Sequence, residues 1–380
     1  MTHVAVSPQL VRWARERAGA SGANLRQQFP KLEQWERGEA QPTLRQLEKF
    51  AKAAYVPIGY LFLPEPPEER TPIPDLRTVA GRGVRRPSPD LLDVLYLCQR
   101  RQAWYREFAQ ISGEERAGFV GSARIDSAPE QVAESMVRLL GFDVEARRDC
   151  PTWTEALRRF IERAEYAGTL VMISGIVGSN THRGLDPEEF RGFALSDDLA
   201  PLVFINGADT RAAQMFTLAH ELAHLWLGES ALSDVGPAST PAQRIEVWCN
   251  RVAAEFLVPL DDLRRELTGG DPLAEVPRLA RTFKVSTLVV LRRLLDARRI
   301  TRGTFNEAYA EECGRLAARR APGGGDFYLT QAARVSRRFA RAIVGSTLEG
   351  QTLYRDAFQM LGIAKEATFR RFGRDMGYAI

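Results

Sequence analysis

The chain has 380 residues, 44% of them hydrophobic and 26% charged, which is enough for two or three domains with real cores and is not a disordered composition. No apolar run approaches the roughly 18–20 residues of a membrane span, and MTHVAVSPQL has no signal-type basic or hydrophobic region. A cytoplasmic protein without a membrane partner is therefore expected, and its four scattered cysteines (Cys98, Cys150, Cys249, Cys313) read as reduced thiols. The net charge of +4 decides little, but its distribution is uneven. From Asp271 to Ile380 there are 20 Lys plus Arg against 11 Asp plus Glu, while the remainder is slightly acidic. A basic region of this kind suits nucleic acid or an acidic protein, or is simply a set of solvated helix faces.

Residues 1–70 read as a small helical module. Apolar residues recur at helical spacing in PQLVRWARERAG, ending at Gly19, and in PTLRQLEKFAKAAYVP, which stops before Pro57. PEPPEERTPIPD follows, where closely spaced prolines forbid helix and favour an extended linker. Residues 71–127 are then linker, including the basic stretch GRGVRRPSPD, and a long helix from about Asp90 to Phe108.

From about residue 128 the pattern becomes mixed. AGTLVMISGIVG, EFRGFALSD and APLVFING each read as a strand bounded by turn residues. Residues 128–262 are expected to form one domain, and 263–380 a basic, mostly helical one. Within the latter, VPRLARTFKVSTLVVLRRLLDARRI divides into two helices near Lys284 to Ser286, and RRAPGGGDFY reads as a loop.

The segment that carries chemistry is His220-Glu221-Leu222-Ala223-His224. On a helix, residues four apart project from one face at adjacent turns, so His220 and His224 can bind one metal ion, and zinc suits imidazole nitrogen. Glu221, beside the first ligand, can take a proton from the attacking water without binding the metal. The frame FTLAHELAHLWLG is almost wholly apolar, which makes these groups costly to bury unless a cation joins them. A catalytic zinc needs a third protein ligand. No histidine follows His224, and Leu227 and Ser230 stand where the extended zincin motif has Gly and His. A carboxylate remains. Glu246 is the best placed, at the start of a second helix with Asn250 one turn later to orient a ligand from behind. Glu229, Asp234 and Glu255 are the alternatives. The donor for the oxyanion would have to be an Arg or Tyr that the sequence does not identify.

At these residues the chain resembles the ImmA/IrrE family of bacterial metallopeptidases, from GFALSDDLAPLVFINGADTRAAQMFTLAHELAHLWLG through EVWCNRVAAEFLVP. It differs in having Gln214-Met215 where members usually carry basic residues. The resemblance implies a zincin-like domain in which His220, His224 and Glu246 bind zinc and Glu221 is the base. It also implies a regulatory role in which members cleave a repressor under stress or release a mobile element. ARERAG, WERGEAQPT and VPIGYLFLPEPP resemble an Xre-type helix-turn-helix that commonly precedes this domain. Here the segment between Gly19 and Trp35 is shortened, and Pro30 falls at the start of the recognition helix. The whole arrangement resembles an antitoxin-like subgroup encoded beside PIN-type nucleases.

The expected fold is thus α+β, a zincin-like domain with a small mixed sheet flanked by an all-α N-terminal module and a helical C-terminal domain. The expected function is a zinc endopeptidase acting on a repressor or toxin–antitoxin partner, with peptide pairing to an edge strand such as APLVFING. The alternative is a non-proteolytic antitoxin or transcriptional regulator on the same scaffold. DNA is a further expected partner, through residues 1–70 or the basic C-terminal region, and a protein docked on the same module is the competing expectation. No DNA-contacting residue is singled out.

Overall fold

Runs of apolar and β-branched residues between turn-formers build a sheet that is buried at nearly every position. A computed structural model describes residues 3–18, 20–76, 87–233, 243–317 and 327–379. The strands are β1 (Leu170–Ser174), β2 (Ile176–Val177), β3 (Asn180–Gly184), β4 (Gly192–Leu195), β5 (Leu202–Asn206) and β6 (Ala231–Ser233). Four form a mixed sheet in the order β1-β5-β4-β6, and β2 pairs with β3 in a separate hairpin. β1 runs parallel to β5, whereas β4 is antiparallel to both β5 and β6. Every residue of β1, β4 and β5 is buried, so these strands are apolar on both faces rather than alternating.

The sheet order corrects one expectation. β5, the APLVFING strand, lies between β1 and β4 and has no free edge to offer a peptide. The edge beside the candidate site is β6, and it is already partnered on its outer side. Leu232 N–H donates to Pro74 O at 3.0 Å and Leu76 N–H donates to Leu232 O at 3.0 Å, making a parallel bridge at Asp75.

The chain divides into two compact units, Met1–Pro72 with Arg85–Asp93, and Ile73–Val84 with Val94–Ile380. The first is helical, with helices Pro8–Arg17, Ala20–Gln28, Leu32–Arg37 and Leu44–Ala53. Two of these coincide with the sequence periodicity. The other two lie in the shortened segment, where Pro30 occupies the turn and the following helix has six residues. Proline has no N–H to extend the preceding ladder, and that ends the Ala20 helix. Phe29, Trp35 and Phe50 meet in tilted and edge-on pairs at 5.6–6.2 Å and fill the core. Thr43 and Gln46 form a reciprocal capping box at the start of the last helix.

In the second unit, helices Pro129–Leu140, Trp153–Tyr166, Arg211–Leu227 and Arg244–Leu257 pack on the sheet and one another. The long helix spans Pro89–Ser112, four residues beyond its expected end. The break near Lys284 is real: helices Pro272–Phe283 and Thr287–Asp296 flank it, with Lys284 left-handed at φ 55° and Ser286 capping the second. Further helices run to Glu366–Asp375. Most of RRAPGGGDFY and of GRGVRRPSPD lies outside the described residues. Among the described residues, no helix is long and apolar enough to cross a membrane.

Candidate metal centre

The helix Arg211–Leu227 starts at Thr210, whose hydroxyl accepts from Ala213 N–H, and stops at Gly228 in the left-handed region at φ 76°. Every residue from Gln214 to Trp226 is buried. A helix apolar all round belongs in the interior, and His220, Glu221 and His224 are carried inside with it, leaving only Arg211 at its start exposed. His220, Glu221 and His224 have no solvent exposure and Glu246 has 2%.

The helix Arg244–Leu257 packs against it and brings Glu246 to the two imidazoles. His220 Nε2 and His224 Nε2 are 3.1 Å apart. Glu246 Oε2 is 3.3 Å from His220 Nε2 and its Oε1 is 3.1 Å from His224 Nε2. Three donors thus converge from two helices. Tetrahedral zinc with bonds of about 2.0–2.1 Å holds its ligand atoms about 3.3 Å apart, so this spacing fits such an ion. Asn250 Oδ1 lies 3.1 Å from His220 Nδ1, where it can accept that N–H and leave the Nε2 lone pair turned toward the cluster.

The electrostatics have the same sense. Burial would raise the Glu246 carboxyl, but His220 and His224 beside it overbalance that and hold it far below the usual carboxylate range. Burial, and then the positive charge His220 can carry, push His224 below its ordinary value, toward the neutral form that ligates. Glu221 goes the other way: burial, reinforced by the charge of Glu246, raises it well above normal. Neither Glu221 oxygen has a well-formed hydrogen bond, and the Ser233 hydroxyl, which is directed at Glu246, opposes the rise only weakly. A buried carboxyl left so is an expensive arrangement unless a further group belongs beside it. Cys249 stays a thiol, because burial and the two carboxylates push it well above its ordinary value.

Residues 164–295 match the Peptidase_M78 family model, described as an IrrE N-terminal-like domain. The matched stretch holds β1 to β6, the strands among the described residues, together with His220, Glu221, His224, Glu246 and Asn250. A peptidase-like metal centre is what the cluster resembles on both grounds. Residues 335–375 match a second model, of a domain of unknown function (DUF8813). No curated protein matches the chain.

Of the alternative carboxylates, Glu229 is exposed just past the helix end. Glu255 is engaged elsewhere, paired with Arg293 and accepting Leu260 N–H. Asp234 lies outside the described residues. Two contributors escaped the sequence reading. Ser233, at the end of β6, places its hydroxyl 3.3 Å from both His224 Nε2 and Glu246 Oε1. Gly192, at the start of β4, lets the strand pass against the helix: a Cβ there would stand 2.7 Å from Thr217 Cγ2 and 3.0 Å from Glu221 Oε1. GFAL carried a signal in its leading glycine, which a fully packed strand rarely tolerates without a close neighbour. A lone serine in a three-residue strand carried none.

Proposed function

We propose that this chain is a zinc-dependent endopeptidase acting on a regulatory protein in the cytoplasm. The observation that carries the reading is the unpartnered, fully buried Glu221 carboxyl beside a three-donor cluster. A structural metal site has no use for it. His220, His224 and Glu246 would hold the ion, which when bound supplies Lewis acidity at the scissile carbonyl. Glu221, raised in pKa, takes the proton of the attacking water and returns it to the leaving amine nitrogen. Asn250 fixes the ring of His220, Gly192 leaves the space in which Glu221 sits, and the apolar frame keeps bulk water away.

The N-terminal unit fits a protein-docking role better than operator reading. Its third helix has only six residues and exposes Glu33 and Gln34 beside Lys31 and Arg37, a short face of mixed charge that offers few base-reading positions. That accords with a partner delivered to the peptidase, either a repressor or a toxin–antitoxin component.

The test is Glu221→Gln in the full chain, with zinc content measured alongside cleavage of candidate partners. Zinc retained with cleavage reduced about 10²–10⁴-fold is expected of a lost general base. Unchanged biological function in that variant would instead favour a non-proteolytic antitoxin or regulator.

A further inference from the structure

An extended peptide reaches a buried centre of this kind most simply by adding to the strand edge that ends there. In this fold that edge is β6. Leu232 pairs with Phe193 of β4 on its inner side, and the next residue, Ser233, touches His224 and Glu246. The outer side is the edge an incoming backbone would use, and the chain's own segment is on it. Pro74 O accepts Leu232 N–H and Leu76 N–H donates to Leu232 O, one residue from the metal cluster. Ile73 is buried at 8% exposure and anchors the segment.

We infer that Ile73–Leu76 is a tethered competitor that occupies the strand edge of β6 required by an extended peptide substrate, so that substrate binding must displace it. The inference rests on the peptidase reading for its biological sense but not for its test. Three features support it. The segment runs in the linker rather than in a regular element, and among the described residues its backbone pairing with β6 is one bridge with two hydrogen bonds, where β4 and β6 share three residue pairs. Prolines at 72 and 74 keep it extended yet cannot donate, so the pairing cannot grow along those residues. The groups it adjoins are wholly shielded, so entry requires something near β6 to move. The substrate class that follows is an unstructured segment presented as a strand and recognised through its backbone on β6.

The probe is a fluorescent copy of residues 71–76, TPIPDL, added to the full chain carrying Glu221→Gln so that nothing is cut. Leu76→Pro removes the N–H that bonds Leu232, and Ile73→Asp removes the anchor; both leave β6 intact. At least tenfold tighter peptide binding to either variant than to the parent is expected, by fluorescence anisotropy. Equal binding overturns the inference. In the unaltered chain, saturating peptide should speed hydrogen exchange at the Leu76 amide at least tenfold while the Leu232 amide stays protected. Unchanged exchange at Leu76 under saturation also overturns it. With Glu221 restored, Leu76→Pro should cleave casein at least tenfold faster. Tighter peptide binding without any cleavage would leave the strap standing and remove the peptidase reading, whereas cleavage at an unaltered rate with equal binding would do the reverse.

Discussion

The two compact units bury different things. The N-terminal unit fills its interior with Phe29, Trp35 and Phe50, and the charges it carries inward are paired with one another, as Arg17 is with Glu69. The peptidase-like unit carries two imidazoles and two carboxyls into a core of Leu218, Leu222, Leu225 and their neighbours. The first arrangement is explained by packing and paired charges, with Trp13 Nε1 as its one orphaned side-chain atom among the described residues. The second violates the rule that buried charges are mutually satisfied, since the Glu221 oxygens and His224 Nδ1 find no partner. Departures from the rules of stability mark where a protein does chemistry, and the second unit is the one that holds such a departure beside a three-donor cluster.

The contrast can be broken at several points. Phe50→Ala should destabilise the N-terminal unit by about 3–5 kcal/mol, a fully buried aromatic truncation, while zinc stoichiometry of the chain stays unchanged. Denaturant unfolding read beside metal content checks this, and a parallel loss of zinc would show the units are not separable. Gly192→Ala should cost about 1–3 kcal/mol through overpacking and should also impair cleavage, because the new methyl meets Thr217 and Glu221. A variant with normal melting temperature and normal turnover would refute the close approach. Asn250→Ala should weaken zinc about 10–100-fold, with the fold retained, because His220 loses its orienting partner. Competition with a chelator measures it. Smallest is Thr43→Ala, which removes a capping box and should cost about 1 kcal/mol in thermal unfolding, with no effect on metal.

Much of the centre was readable because a helix converts spacing into direction. His220 and His224 share a face by the four-residue interval, and Glu246 with Asn250 repeats it on the second helix. The strands β1, β4 and β5 announced themselves by composition, and the break at Lys284 by the loss of helical period. What escaped were facts about pairing rather than about elements. Nothing in APLVFING indicates that β5 sits inside the sheet, because strand order depends on long-range contacts that leave no local trace. β3, with the polar sequence NTHRG, and the three-residue β6 are too short or too polar to show a period. The partner of β6 was hidden for the opposite reason: a proline-rich linker reads as unstructured even where its backbone is bonded. The two helices around Pro30 were likewise masked by a breaker that ends one and precedes the other.

His220, His224 and Glu246 form a single cluster of candidate metal donors, and Glu221 adjoins it without being one of them. Zinc titration of the purified full chain, with stoichiometry read by elemental analysis, tests it most directly. One equivalent is expected in the unaltered protein and in Glu221→Gln, and none in Glu246→Ala at the same zinc concentration. Equal zinc in Glu246→Ala, or no bound divalent metal in the unaltered protein, would rule out this three-donor centre.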